Sequence, residues 1–333
     1  MFAFAPKLPK KVLYAQLALL IANFIWGAAG PVIKLTLEYI PPFTFLFLRF
    51  LLVGIILLPY AVYKLHREPV DRKDIFNFVL LGLFSQSSIA LVFVALKYTT
   101  VLDYTIISVL GSVLSVYAGH YFYKEKVSRQ MTIGLIIASI GTLFIIMEPA
   151  FADNASNIAI SSRIFGNALG LIYGLAWLIY VIWSKFSMGE RSKILKKSLS
   201  FVHIKPMVRK YSPSLIVTLS FYVGIVTLLP FAVLERMSTN GYPNFDLFAL
   251  NPTAVFGLLF MVIFSSIIAY MLSQWAFEYA KVADTAIYSY LSTIFTFPFA
   301  FWLLGEVPNK YMLVGAAFIA LGVILAECAP NHD

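Results

Sequence analysis

Apolar runs of about 20 residues alternate with short polar stretches along the whole chain. The first runs from Val12 to Ile33, and others begin near Phe43, Ile75, Tyr104, Met131, Ile164, Leu215, Pro252, Thr285 and Tyr311. Each has the length to cross roughly 30 Å of hydrocarbon as a helix. The pattern predicts ten transmembrane helices. Helical periodicity adds little, because a lipid-facing helix is apolar all round. Punctuation agrees with these limits. Pro41, Pro42 and Pro213 mark helix entries. Asp103 and Asp284 stand where N-caps belong, before the fourth and ninth spans, and Ser128 before the fifth. Gly27-Ala28-Ala29-Gly30-Pro31 lies inside the first span and predicts a kink, since proline removes a backbone hydrogen bond. That first run is too long for a signal-peptide core and no small-residue cleavage site follows it, so a retained span is expected.

A duplication underlies the pattern. Ser85 to Gly141 falls without a gap on Ser266 to Gly322, shifted by 181 residues. Tyr98 meets Tyr279, Asp103 meets Asp284, Ser108 meets Ser289 and Glu125 meets Glu306. Gly134 meets Gly315, and Gly141 meets Gly322. Apolar matches arise by chance in such a composition; polar matches at one offset do not. The first helices also align, with Trp26 on Trp177 and Lys34 on Lys185, shifted by 151. The extra length in the second half is a basic segment, residues 186–212. It is expected to hold a short interfacial helix with Ile194, Leu195, Leu199 and Val202 on one face.

Composition decides the compartment. The 333 residues are 60% hydrophobic and 12% charged, against about 25% charged in soluble domains. Too little charge remains to cover a soluble surface, so the expected fold is an all-α integral membrane protein. The net charge of +9 comes from short basic clusters between apolar runs. That suits anionic lipid, and no nucleic-acid partner is expected. With the N-terminus cytoplasmic, 19 of the 25 Lys and Arg fall on the cytoplasmic side, 5 on the other, and Arg49 inside the second span. This bias predicts both termini in the cytoplasm, and the expected location is a bacterial inner membrane. One cysteine, Cys328, excludes an internal disulfide, and the four histidines are far apart, so no metal site is expected.

Five spans per half is an odd number. The second half therefore enters the membrane from the opposite side, which defines an inverted-topology repeat. The expected units are residues 12–148, an outer connection 149–162, and an inverted unit 163–327. No P-loop, HExxH motif or paired mid-membrane carboxylates occur, so neither a catalytic site nor an ATP-driven step is predicted.

The stretch Asn23-Phe24-Ile25-Trp26-Gly27 followed by Pro31 and Lys34 resembles the first helix of the EamA family of the drug/metabolite transporter superfamily. Pro42 with Arg49-Phe50 is similar to its second helix. Ala95-Leu96-Lys97-Tyr98-Thr99 leading to Glu125-Lys126-Val127-Ser128, Gln130 and Gly134 resembles its third to fifth. Ala276, Tyr279, Ala280, Pro298, Gly305-Glu306 and Gly315 repeat these features in the second half. The chain departs from the family at Gly111-Ser112 and Leu114, where a proline is usual. The resemblance implies a ten-helix secondary transporter of small organic metabolites, without cofactor. Helices one, three, four, six, eight and nine would line its central cavity.

Several polar and aromatic residues fall on those helices at mid-depth. Asn23 and Trp26, Gln86, Ser108 and Ser112, Tyr173 and Trp177, Tyr270, Ser289 and Thr293 form the candidate substrate-binding set. Tyr104, Ser108, Ser112 and Ser115, and in the other half Thr285, Ser289, Thr293 and Thr296, follow helical spacing as polar stripes. Such hydroxyls also serve close helix packing, and mid-membrane amides also bond neighbouring helices. Arg49 needs a partner or water that the sequence does not name. Lys34 and Lys185 either steer anions at the mouths or snorkel to the interface. Glu125 and Glu306 are expected to bond the start of the next helix or a basic neighbour. A neutral, aromatic wall suits an amphiphilic solute such as an amino acid. A phosphorylated-sugar or nucleotide-sugar carrier, a lipid-linked sugar flippase, and a non-transporting membrane scaffold or receptor are the alternatives. The partners expected are a small-molecule solute and membrane lipids.

Overall fold

The computed structural model describes residues 10–123, 129–150, 158–189, 192–201, 204–205, 207–237, 251–280 and 282–327. For Ser112, Asp284 and Ser289 it describes the backbone alone. Glu125 and Ser128 lie outside the described residues. Among those described the fold is entirely helical. In chain order the helices are α1 (Lys10–Thr36), α2 (Pro42–Arg67), α3 (Ile75–Gly82), α4 (Ile89–Tyr98), α5 (Val101–Tyr123), α6 (Arg129–Met147) and α7 (Ile160–Ser187). They continue as α8 (Lys193–Phe201), α9 (Pro213–Met237), α10 (Pro252–Phe260), α11 (Tyr270–Phe277), α12 (Val282–Leu304) and α13 (Lys310–Glu327).

Six stretches are long and apolar enough to cross a membrane: Lys10–Thr36, Pro42–Arg67, Ile75–Tyr98, Ile160–Ser187, Pro213–Met237 and Pro252–Phe277. The remaining predicted spans fall on shorter apolar stretches, Val101–Gly111, Thr132–Met147, Leu291–Leu304 and Lys310–Gly322. Large apolar side chains such as Val226, Leu234, Phe301 and Trp302 face outward, as a hydrocarbon surround allows.

Two of the long stretches change pitch midway. Leu83–Ser87 joins α3 to α4 as a π-helix, and Met261–Ala269 joins α10 to α11 in the same way. The 181-residue shift superposes these two segments. A π-helix widens the turn and re-aims side chains and carbonyls, and such segments concentrate at functional sites. The hydrophobic pattern carries no trace of them.

Two repeat-related glycine pairs contact one another crosswise. Gly141 of α6 lies against Gly315 of α13, where an added Cβ would come 2.8 Å from the Gly315 carbonyl oxygen. Gly322 lies against Gly134, where a Cβ would come 2.4 Å from its carbonyl oxygen. The register falls along one helix as it rises along the other, so α6 and α13 run antiparallel. Only glycine permits backbones this close.

The lysines obey the same symmetry. Lys34 Nζ donates to the carbonyls of Thr99 and, at 3.2 Å, Leu96. Lys185 Nζ donates to those of Phe277 and Ala280, at 3.1 and 2.7 Å. Leu96 and Phe277, and Thr99 and Ala280, are repeat mates. Each lysine thus satisfies the last carbonyls of α4 or α11, the negative end of the helix. For Lys185, which is 1% exposed, this replaces the mouth-steering and snorkelling readings.

Two other expectations are corrected. Asp103 is not an N-cap, because α5 begins at Val101 and places it in the first turn. Its buried carboxylate instead accepts from Arg163 Nε and Nη2 at 3.1 and 2.6 Å, and Arg163 Nη2 also donates to buried Glu148 at 2.8 Å. Likewise α12 begins at Val282, so Asp284 falls inside its first turn. Among the described residues Glu306 makes no bond to the next helix or to a basic neighbour. It accepts from the backbone N–H groups of Val101 and Leu102, both at 3.1 Å, where a carboxylate complements a helix N-terminus.

In the basic segment, α8 forms with Leu195 buried, its N–H donating to Ser192 Oγ. The side chains of Leu199 and Val202 lie outside the described residues. Tyr211 closes the segment by donating to Asp74 at 2.6 Å.

Candidate functional site

A cavity of about 190 Å³ lies among α1, α2, α4, α5, α7, α11, α12 and the Met261–Ala269 segment. These are the helices that the family resemblance places around a cavity, with α2 added through Arg49. The close passage of α5 and α7 shapes one wall. Gly111 and Gly174 both line it, and a Cβ on Gly111 would come 3.1 Å from Gly174 Cα. A larger residue at either place would fill the space or part the helices.

Six aromatic rings stand in the lining, from Trp26, Tyr104, Tyr173, Trp177, Tyr270 and Phe277. Trp26 and Trp177 stand edge to face with centroids 5.8 Å apart, and Tyr270 meets Trp26 at 5.3 Å and Trp177 at 5.7 Å. Tyr173 lies 6.4 Å from Trp177 and 6.5 Å from Tyr104. The indole N–H of Trp26 donates to the Ser265 carbonyl at 3.2 Å, an acceptor inside the π-helical segment. This fixes the ring on the wall rather than in the lipid.

Hydroxyls and the Asn23 amide also stand in the lining, and most are already engaged. Asn23 Nδ2 donates to the Leu19 carbonyl at 2.8 Å, one turn back. Ser108 and Ser115 donate to the carbonyls of Thr105 and Gly111. Thr296 donates to the carbonyls of Gly27 and Ser292, across the α1–α12 contact. These side chains serve helix packing and present oxygen to the cavity at once.

Of the candidate set, Asn23, Trp26, Ser108, Tyr173, Trp177 and Tyr270 line the cavity. Gln86 does not. It is fully buried, donates to Ser85 Oγ at 3.0 Å, and its Cβ packs where α9 passes at Gly224. The π-helical turn at Leu83–Ser87 aims it that way. Thr293 is also off the lining, while its neighbours Ser292 and Thr296 are on it; its hydroxyl is buried without a partner among the described residues. The side chains of Ser112 and Ser289 lie outside the described residues.

The candidate substrate-binding set omitted the lining residues Tyr104, Ser115, Ser265, Ser292 and Arg49. The helical stripe through Tyr104 and Ser115 was the available signal for two of them. Arg49 is only 2% exposed, with Nε donating to Ser266 Oγ at 2.6 Å and Nη2 to Ser265 Oγ at 3.4 Å. Among the described residues that line the cavity there is no Asp or Glu, and no group of residues there could hold a metal ion. Such groups are of the kind that hold and orient a solute, and among the described lining residues there is no nucleophile–base pair.

Comparison with known proteins gives the family. A chain described as an uncharacterized transporter from Archaeoglobus fulgidus is 26% identical over 96% of this chain and 98% of its own length. A probable amino-acid metabolite efflux pump of Salmonella typhimurium is 25% identical over 93% of each. A solved structure titled only as the crystal structure of a protein superposes with a TM-score of 0.57 at 14% identity, covering 94% of this chain and 96% of that one. That likeness concerns the fold alone. The profile of the EamA-like transporter family matches residues 13–147 and 197–327. The chain belongs to the EamA-like transporter family, and it is a membrane transporter rather than an enzyme.

Proposed function

We propose that the chain moves a small amphiphilic organic metabolite, of amino-acid size and character, through the cavity by alternating access. The observation that carries this reading is the cavity itself: rings on α1, α7 and α11 enclose a space already supplied with amide and hydroxyl groups. Aromatic faces hold the apolar part of a solute and the polar groups fix its orientation. The antiparallel glycine contact of α6 with α13 and the paired roles of Lys34 and Lys185 support an inverted repeat. Two oppositely oriented halves that exchange shapes would open one site to each side in turn. The Salmonella relative described as an amino-acid metabolite efflux pump favours export. The basic bias of the loops favours cytoplasmic termini.

The carboxylates near the spans support exchange or facilitated movement over tight proton coupling. Asp103 and Glu148 are committed to Arg163, and Glu306 to a helix start. Proton-coupled carriers keep an ionisable group available within the membrane.

Counterflow in proteoliposomes tests the reading. Vesicles loaded with an amino-acid and organic-acid mixture should take up labelled solute from outside, and a protonophore should leave that uptake unchanged. Folded, monodisperse protein with no flux for any solute would favour the membrane scaffold instead.

A further inference from the structure

Arg49 is the one lining charge that an aromatic, neutral site leaves unexplained. It sits in the N-terminal third of α2, 2% exposed, with its guanidinium 5.6 Å from the Phe50 ring. A buried cation is costly unless an anion accompanies it. Among the described residues the close ion pairs are Lys64 with Glu68 and Arg163 with Asp103 and Glu148; Arg49 is in none. Its protein acceptors are two neutral hydroxyls, Ser266 Oγ and the more distant Ser265 Oγ. They orient the group without neutralising it. Nη1 makes no hydrogen bond to a described residue.

The surroundings aim this charge at the cavity. Both serines belong to the π-helical segment, and Ser265 lines the cavity beside Arg49. The carbonyl of the same Ser265 holds the Trp26 indole. One residue therefore sets both the cation and a face of the aromatic wall. No described acid on the lining competes for the guanidinium. Its planar fork matches a carboxylate in shape as well as charge. A doubly charged phosphate would call for a second cation, and Arg49 is the only one among the described lining residues.

We infer that Arg49 receives the carboxylate of the transported solute, so that the cavity takes monocarboxylic organic acids and amino acids rather than amines. This rests on the transport reading given above. The bound acid supplies the counter-charge that the protein lacks, while its apolar remainder lies against Trp26, Trp177 and Tyr270.

The test uses the purified full-length chain and three matched probes. They are L-leucine, 4-methylpentanoate (leucine without its amine) and 3-methylbutylamine (leucine without its carboxylate). Binding is followed by calorimetry and by quenching of tryptophan emission. Both acids should bind at millimolar concentration or below, and the amine roughly tenfold more weakly or worse. Arg49→Gln should lose roughly tenfold or more in affinity for both acids, with Arg49→Lys between it and the parent. The comparison of acids with the amine needs no variant, so it decides the matter even where Arg49→Gln fails to fold. Equal binding of the amine, no binding of either acid at millimolar concentration, or a folded Arg49→Gln that binds acids normally would overturn the inference. Counterflow with the same probes separates the two readings. Flux of the amine without flux of the acids would overturn the role of Arg49 and keep transport. Acid binding that needs Arg49, without flux of any probe, would keep that role and overturn transport.

Discussion

Trp26 and Trp177 occupy equivalent positions in the two halves of the chain and touch edge to face, with ring centroids 5.8 Å apart and planes at 86°. The edge of an indole is electropositive and its face electronegative, so the pair is attractive as it stands. A solute held beside the pair meets one face and one edge.

Replacing either ring with alanine should weaken solute binding by about 1–3 kcal/mol, roughly ten- to a hundredfold in affinity. Trp26→Ala and Trp177→Ala should lose counterflow while remaining monodisperse. Trp302 is 78% exposed, on the outer surface, and Trp302→Ala should transport as the parent does. Normal transport by both cavity variants, with failure of Trp302→Ala, would place the solute elsewhere.

The Asp103–Arg163–Glu148 cluster joins the first turn of α5, the start of α7 and the end of α6 inside the protein. Removing one partner of a buried pair leaves its mate uncompensated, at a cost of about 3–5 kcal/mol. Asp103→Ala should therefore lower the melting temperature in detergent strongly. The double variant Asp103→Ala/Arg163→Met should recover part of the loss, since no orphaned guanidinium remains. A double variant as unstable as the two single losses added together would deny the coupling.

Lys185 is 1% exposed and holds two carbonyls at the end of α11. Lys34 makes the equivalent bonds at the end of α4 but is only partly buried. Hydrogen bonds to a charged group contribute about 1.5–3 kcal/mol each, and more is lost where water cannot replace them. Lys185→Met should thus destabilise the protein more than Lys34→Met, read as the difference between their melting temperatures. Equal losses would show that burial does not set the cost.

The helix limits were largely legible in the chain. The run beginning near Phe43 became α2 from Pro42, and that near Ile164 became α7 from Ile160. Hydropathy, with proline at the entry of α2, decides such limits. Helix rotation was less legible, because an all-round apolar helix hides which way it faces. Gln86 and Trp26 are both mid-span polar-capable residues, yet only Trp26 lines the cavity. Packing against Gly224 and the π-helical turn decide the orientation of Gln86, and neither has a local signature. Asp103 read as a cap because its partner Arg163 lies 60 residues away. Repeat spacing, in contrast, linked Trp26 with Trp177, which lie in contact, since a symmetry relation is non-local information written in the sequence.

A single cysteine in the cavity tests alternating access most directly. Ser108 lines the cavity on α5, and Ser108→Cys in a Cys328→Ser background carries one thiol. Sealed vesicles are exposed to a membrane-impermeant thiol reagent added outside, or trapped inside, during solute exchange. The account predicts labelling from either side, slowed from both when a transported solute is present. Labelling from one side only, in vesicles that are exchanging solute, would contradict it.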